Sequence, residues 1–166
     1  MGWLRVAGTG RTMDGATVTW SVAEGRRGRR WREAVTRDGI VVHSLLLELD
    51  RDGRFAHLEL TTLAGLLTLH PEADGTLHGN AVTASGVTHV RLPWEPDEVI
   101  VVEHSVVCQA VAATWQLARG HDALGVIRVK PDLSLERERP ASWAADEDGG
   151  ELPVLEDPQV WPLEEP

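Results

Sequence analysis

A histidine in the middle of an apolar strand pattern is the first residue whose position could support chemistry. His43 lies on the same side of a predicted strand as Leu45 and Leu47, because side chains on a strand alternate between its two faces. A histidine on an apolar face can serve as an acid or base with a perturbed pKa. A core histidine that is hydrogen-bonded to a carbonyl group is the competing interpretation.

Polar side chains also alternate with apolar ones in three other strand patterns. Each pattern places two polar residues on the side away from the apolar ones: His57 with Glu59, His89 with Arg91, and Glu103 with Ser105. If these strands are neighbours, one face carries a set able to hydrogen-bond a polar ligand or to move a proton. The competing interpretation is a solvated face, which antiparallel sheets commonly have.

The candidates for general acid or base are therefore His43, His57, Glu59 and Glu103. We predict no metal site, since the histidines lack the close spacing of metal ligands. We predict no cofactor, since no glycine-rich loop precedes a helix. The missing Gly-x-Ser-x-Gly and His-Glu-x-x-His motifs count against α/β-hydrolases and zinc proteases. Cys108, the single cysteine, is interpreted as a structural thiol.

Tryptophan is unusually frequent among the aromatic residues, with seven Trp against one Phe and no Tyr. Trp20, Trp94 and Trp115 lie in or beside predicted strands, and we expect them to form the wall of a ligand pocket. His89 and Arg91 complete the predicted ligand-binding set. Filling of the core is the alternative role for each tryptophan, because its large amphipathic side chain suits both.

The elements that must position these residues are predicted to be strands. Val41, His43, Leu45, Leu47 and Leu49 share one side of the first segment, and Ala56, Leu58 and Leu60 share one side of the second. The turn residues 50–53 between them make this a β-hairpin with one buried face. Similar segments recur at 16–23, 66–70, 76–82, 87–92, 99–107, 123–130 and 133–139. The fold class is thus mainly β, a curved antiparallel sheet that forms an open or closed β-barrel-like domain.

Two segments allow more than one interpretation. Residues 105–119 carry apolar residues at helical spacing and also at strand spacing. We favour extended chain because strands flank the segment, and one short helix is the alternative. Residues 26–32 hold five arginines, which we interpret as a solvated loop, with a phosphate-binding arm as the alternative.

Composition bounds the organisation and the partners. Residues 1–142 are predicted as a single β-rich domain, and residues 143–166 as a loosely ordered acidic tail that contains proline. A net charge of −10 argues against nucleic acid and anionic bilayers as partners. No apolar run is long enough to span a membrane, and no signal peptide is recognisable, so we expect a cytoplasmic protein. Pairing of edge strands would allow a homodimer.

Several short motifs resemble the bacterial family of small β-rich domains described as glycolipid-binding. Residues 126–136, followed by Arg137 and Arg139, are similar to its late strand pair, and 66–79 with Asp74-Gly75 to its turn motif. Residues 99–117 stand in the place of its long central strand pair, and 47–50 in that of an early strand ending in Asp. The resemblance spans most of 14–142 and implies a twisted antiparallel sheet that curls into an open barrel.

Two functions of different classes follow. The first is binding of a hydrophobic or amphipathic small molecule, lipid-like or glycolipid-like, in the cavity of the barrel-like domain. The alternative is a small biosynthetic pocket enzyme of the cyclase or isomerase type, in which a histidine or glutamate acts as general acid or base on a hydrophobic substrate. A partner-binding domain without a pocket is a third option.

Overall fold

One large antiparallel sheet dominates the structure. The computed structural model describes residues 4–119, 125–138 and 159–162. Its elements are β1 (Leu4–Arg11), β2 (Thr17–Gly25), β3 (Gly28–Arg37), β4 (Ile40–Leu49), β5 (Phe55–Thr62), β6 (Gly65–Pro71), β7 (Thr76–Thr83), β8 (Gly86–Pro93), β9 (Val99–Val102), α1 (Val106–Arg119), β10 (Val126–Val129), β11 (Leu135–Glu138) and β12 (Gln159–Pro162). Strands β1 to β8 form a meander, and β12 pairs with the other edge of β1. The prediction of a mainly β chain with an antiparallel sheet is confirmed.

A second sheet contains a parallel pair of strands. β9 and β10 run parallel, and β11 lies antiparallel to β10. Parallel neighbours need a crossover connection, and α1 lies in that connection. Ile100 and Val102 belong to the core shared with the large sheet, whereas Val99 and Val101 pack with α1. The small sheet is therefore a layer between the large sheet and the helix.

Alternation of leucine with polar residues builds the buried face of the large sheet. Leu45 and Leu47 are almost completely buried, as the sequence predicted. The next strands continue the same face with Leu58, Leu60, Leu67, Leu69 and Leu77. Burial of each such side chain contributes about 1.5–3 kcal/mol, so this face is the main apolar contribution to the fold.

Two β-bulges correct the predicted pattern of the first hairpin. Val42 is an extra residue in β4 opposite β3, so Val41 turns outward and is exposed, while Val42 packs inside. Ala56 is an extra residue in β5 opposite β4, and Phe55 takes the buried position that was predicted for Ala56. A bulge shifts the alternation of inward and outward side chains by one residue. A prediction from strict alternation in the sequence does not include this shift.

The preference for extended chain at 105–119 is wrong, because Val106–Arg119 is an α-helix. Ser105 is its N-cap, and its Oγ accepts a hydrogen bond from the amide of Cys108 at 3.0 Å. Val111 and Trp115 lie four residues apart on the helix and both pack inward. The helical alternative at that spacing was the correct one.

The arginine run is also not a loop. Only Arg26 and Arg27 lie in the tight turn between β2 and β3, and residues 28–37 form β3. Arg30 points away from the core and pairs with Glu48 at 2.5 Å. Strand pairing on both sides of β3 outweighs the low β propensity of a charged segment.

The described strands form two sheets that do not close into a barrel. The large sheet has β12 and β8 as its edges, and the small sheet has β11 and β9. The barrel-like part of the prediction is therefore not seen, although the antiparallel sheet is. Residues 159–162 of the predicted tail form β12; the rest of that tail, like residues 123 and 124 of a predicted strand, lies outside the described residues. Within the described part of the chain, α1 is too short and too polar to cross a membrane.

Candidate ligand-binding cleft

A cleft of about 560 Å³ opens where two hairpin ends meet the helix. The turn between β2 and β3 forms one side, the turn between β4 and β5 forms another, and α1 closes the third. The lining residues are Glu24, Gly25, Arg26, Gly28, Arg29, Trp31, Leu49, Asp50, Arg51, Asp52, Gly53, Ala110, Val111, Thr114, Trp115 and Ala118. The site thus combines three segments that are far apart in the sequence.

Two tryptophans form the apolar walls of the cleft. Trp31 faces inward on β3 because it alternates with Arg30 and Arg32, and its ring lies 5.9 Å from that of Trp20. The indole Nε1 of Trp31 is buried and has no hydrogen-bond partner among the described residues. Trp115 on α1 is buried and donates its indole N–H to the carbonyl oxygen of Asp97 at 3.2 Å.

The two hairpin ends are held together by a close backbone approach. Gly28 has a φ of 124°, and a Cβ atom there would lie 2.1 Å from the carbonyl oxygen of Leu49. Only glycine fits such a position. Arg51 adds a hydrogen bond from its Nε to the carbonyl oxygen of Arg26. The rim of the cleft is therefore fixed by contacts between the two turns.

The carboxylates of the rim are all engaged within it. Glu24 lies 3.6 Å from Arg29. The Oδ1 atom of Asp50 accepts hydrogen bonds from the backbone amides of Asp52 and Arg54, each at 2.9 Å. Asp52 lies 3.4 Å from the guanidinium group of Arg54. By contrast, the guanidinium groups of Arg26 and Arg51 are exposed and form no ion pair with any described residue.

A buried polar cluster lies elsewhere on the inner face of the sheet. Glu33 accepts a hydrogen bond from the amide of Val107 at 2.8 Å, in the first turn of α1. His43, on the neighbouring strand, brings its Nε2 to 2.7 Å from Glu33 Oε1, although the two atoms are not aligned as a hydrogen bond. Helix N-termini favour negative charge, so the carboxylate stabilises the helix end. His43 is thus buried on the apolar face as predicted, against a carboxylate and not a carbonyl group.

The predicted shared polar face does not form one site. His57 and Glu59 lie on β5, and their side chains contact each other at 3.1 Å on the outer face. His89 is on β8, three strands away, where it contacts Asn80 at 2.6 Å. Arg91 lies 3.6 Å from Asp74. These residues do share the outer surface, but β6 and β7 separate the two pairs.

The other two members of that predicted face lie in different elements. Glu103 follows β9 in the small sheet, and Ser105 caps α1 as described above. The interpretation of all six residues as one solvated strand face is therefore wrong as well. The sequence pattern identified β5 and β8 as strands, but it extended β9 over Glu103 and Ser105 and did not give the order of the strands in space.

The predicted tryptophans separate into core and cleft residues. Trp94 is buried with its ring 5.4 Å from Phe55 in an edge-on arrangement, and it does not line the cleft. Trp20 is buried above Gly8, where a Cβ atom would lie 2.7 Å from the indole nitrogen. Of the predicted wall residues, Trp115 alone lines the cleft.

Sequence reasoning missed Trp31, Arg26 and Arg51. Trp31 is hidden within the arginine run, and the one signal for its position is the alternation of Arg29, Trp31 and Glu33 with outward residues. Nothing in the sequence brings Arg51 next to Arg26, because that contact depends on the pairing of β3 with β4. No group of three His, Cys, Asp or Glu side chains in the described part of the chain could hold a metal ion.

Comparisons with known proteins assign no family. The chain matches no protein-family model, and no curated protein or solved structure is significantly similar to it.

Proposed function

We propose that the protein binds a hydrophobic or amphipathic small molecule in the cleft between α1 and the two hairpin ends. The observation that carries the proposal is the apolar wall of Trp31 and Trp115 around a volume of about 560 Å³. Small-molecule sites typically measure about 300–1,000 Å³ and combine apolar walls with a few polar groups. The cleft has both properties.

The apolar lining is continuous from the sheet to the helix. Leu49 contributes from the end of β4, and Ala110, Val111 and Ala118 contribute from α1. Small side chains on the helix leave the space that a ligand would fill. An alkyl chain laid in the cleft would remove the exposed apolar surface of Trp31, Ala110 and Ala118 from water, which is favourable by about 25 cal/mol per Å².

The resemblance to the family described as glycolipid-binding supports the same class of ligand. In that interpretation the large sheet acts as an incomplete barrel wall, which the small sheet and α1 cover. The ligand would enter at the hairpin ends, where the rim residues are exposed. A lipid-like or glycolipid-like molecule fits this arrangement of an apolar interior and a polar mouth.

The enzyme alternative has less support from the geometry. None of its candidate residues, His43, His57, Glu59 and Glu103, lines the cleft. His43 and Glu33 are buried against each other and the helix end, and neither lines the cleft. A general acid or base must lie within hydrogen-bonding reach of its substrate.

The experiment that tests the proposal places a larger side chain of α1 in the cleft. We expect decyl maltoside, added below its micelle concentration, to bind one molecule per chain in isothermal titration calorimetry. Ala110→Trp should weaken that binding at least about tenfold, because the new side chain occupies the cleft. Ala113→Trp is the matched control, since Ala113 is a helical alanine outside the lining.

Native mass spectrometry provides a second readout on the same variants. The native parent protein should carry one bound amphiphile, which is lost on denaturation. The Ala110→Trp variant should carry none. Equal binding by both tryptophan variants, or no binding by the parent protein, would overturn the proposal.

A further inference from the structure

The two hairpin ends that border the cleft carry an excess of positive charge on a strongly negative protein. Segments 24–32 and 48–54, which form the two hairpin ends, contain seven arginines and four acidic residues, while the whole chain has a net charge of −10. Three of these arginines and three of these carboxylates line the cleft itself: Arg26, Arg29, Arg51, Glu24, Asp50 and Asp52. Solubility would not require this concentration, because the negative charge of the remaining surface already supplies it.

The excess resides mainly in arginines that have no acidic partner. Arg29 lies near Glu24, Arg30 pairs with Glu48, and Arg54 pairs with Asp52. Arg26 and Arg51 both line the cleft, and neither forms an ion pair with a described residue. These two side chains therefore have charge to offer to a ligand.

We infer that Arg26 and Arg51 bind the anionic group of an amphiphile, a carboxylate or a phosphate monoester, whose apolar chain lies between Trp31 and Trp115. This inference rests on the proposed function and specifies its ligand class. A guanidinium group presents a planar fork of N–H donors that matches the oxygens of both anions. Two such groups at the mouth of an apolar cleft select a molecule with one charged end.

The rim holds the side chain of Arg51 in place. The Nε of Arg51 donates to the carbonyl oxygen of Arg26, so its terminal nitrogens remain available while the side chain is oriented. Gly28 lets the backbone of the β2–β3 hairpin approach Leu49 and Asp50 closely. Preorganised donors lose less conformational entropy when a ligand binds.

The test compares amphiphiles that share a decyl chain and differ in the head: decanoate, decyl phosphate, decyl maltoside and decyltrimethylammonium. We expect the two anions to bind at least about tenfold more tightly than the neutral and cationic compounds, in calorimetry below micelle concentrations. Arg26→Gln combined with Arg51→Gln should weaken anion binding about 10- to 100-fold, the usual effect of losing charged hydrogen bonds. Decyl maltoside should lose at least about tenfold less affinity than the anions, because its head carries no charge for the two arginines to bind.

Arg27→Gln is the matched control, because Arg27 lies in the same turn and has the same charge but does not line the cleft. It should leave anion binding within about twofold. A preference for decanoate over decyl phosphate, or the reverse, would identify the head group; either supports the inference. Inorganic phosphate alone should bind at least about 100-fold more weakly than decyl phosphate, because it lacks the chain.

Failure of the inference and failure of the proposed function give different results. If all four heads bind equally, or if Arg27→Gln weakens binding as much as the double variant, the anion site is refuted while the apolar cleft stands. If inorganic phosphate binds as tightly as decyl phosphate, the ligand is a free anion and the inference is refuted. If no decyl compound binds, both proposals are refuted.

Discussion

Glu33 on β3 accepts a hydrogen bond from the backbone amide of Val107, at 2.8 Å, and so caps α1 from a strand of the large sheet. The helix has no acidic residue in its own first turn. A carboxylate in that position satisfies one of the free amides and interacts favourably with the helix dipole. The same carboxylate contacts His43 at 2.7 Å, so one buried group joins two strands and the helix.

Replacement of Glu33 should therefore destabilise the whole domain. We expect Glu33→Ala to lower the free energy of unfolding by about 3–5 kcal/mol, because it leaves His43 and the Val107 amide without their buried partner. Urea denaturation measures the change. Glu59→Ala is the control, since Glu59 is half exposed and contacts only His57; it should change stability by less than about 0.5 kcal/mol. Equal effects of the two variants would contradict the role of Glu33.

Two glycines in strands offer a sharp comparison of close packing. A Cβ atom at Gly79 would lie 1.8 Å from the carbonyl oxygen of Thr68, whereas nothing lies within 4 Å of one at Gly10. We expect Gly79→Ala to cost about 3 kcal/mol or more, because the backbones of β6 and β7 would have to separate. Gly10→Ala should leave the midpoint of thermal unfolding within a few degrees. A tolerated Gly79→Ala would show that the two strands are less closely paired.

The thiol of Cys108 should be unreactive until the protein unfolds. Burial raises the pKa of this thiol to about 12, so it stays protonated at pH 8, and the thiolate is the reactive form. We expect iodoacetamide at pH 8 to leave the native protein unmodified over hours and to add one carbamidomethyl group per chain in 6 M urea. Intact-mass measurement distinguishes the two cases. Rapid modification of the native protein would contradict the buried position.

Trp31 and Trp94 should have separable roles. Trp94 is buried against Phe55 outside the cleft, so Trp94→Ala should cost about 3–5 kcal/mol of stability. Trp31→Ala removes a cleft wall that is only half buried, so it should weaken binding of decyl maltoside more than it lowers stability. Calorimetry and urea denaturation on both variants check this. Loss of stability in Trp31→Ala with unchanged binding would remove Trp31 from the site.

The ion pair between Arg128 and Glu138 should make a small, pH-dependent contribution. The hydrogen bond from Arg128 lowers the pKa of Glu138 from its usual 4.5. A lowered folded-state pKa contributes stability above the unfolded-state pKa, and that stability is lost as the pH falls through the folded-state value. Glu138→Gln should thus be less stable than the parent at pH 7, by a fraction of about 1 kcal/mol for this partly exposed pair, and the difference should disappear as the pH falls through the lowered pKa of Glu138.

The sequence predicted local strands well because burial of one face imposes a period of two. Leu45 and Leu47 show this most clearly, and both are buried as expected. The helix at 106–119 was harder, since its valines suit a strand as well, and the deciding features were the cap at Ser105 and the parallel pairing of β9 with β10. Neither feature follows from periodicity.

The candidate site was predicted far less well, because it lies between segments and not within one. Trp31 and Trp115 are more than eighty positions apart in the chain, and only the assembled sheet and helix bring them to one cleft. His57 and His89 share a surface, as predicted, but the meander order separates them by two strands. Pattern alone gives the face of a residue, whereas a site needs the order of strands.

The cap on α1 also has a consequence for the order of folding. The bond between Glu33 and Val107 joins residues 74 positions apart, and closing so long a loop costs entropy that local contacts do not. The first turn of α1 therefore gains its acceptor only after β3 has found its place. We expect the meander to assemble first and the helix to dock late, so that a growing chain carries the acceptor for its helix well before that helix is synthesised.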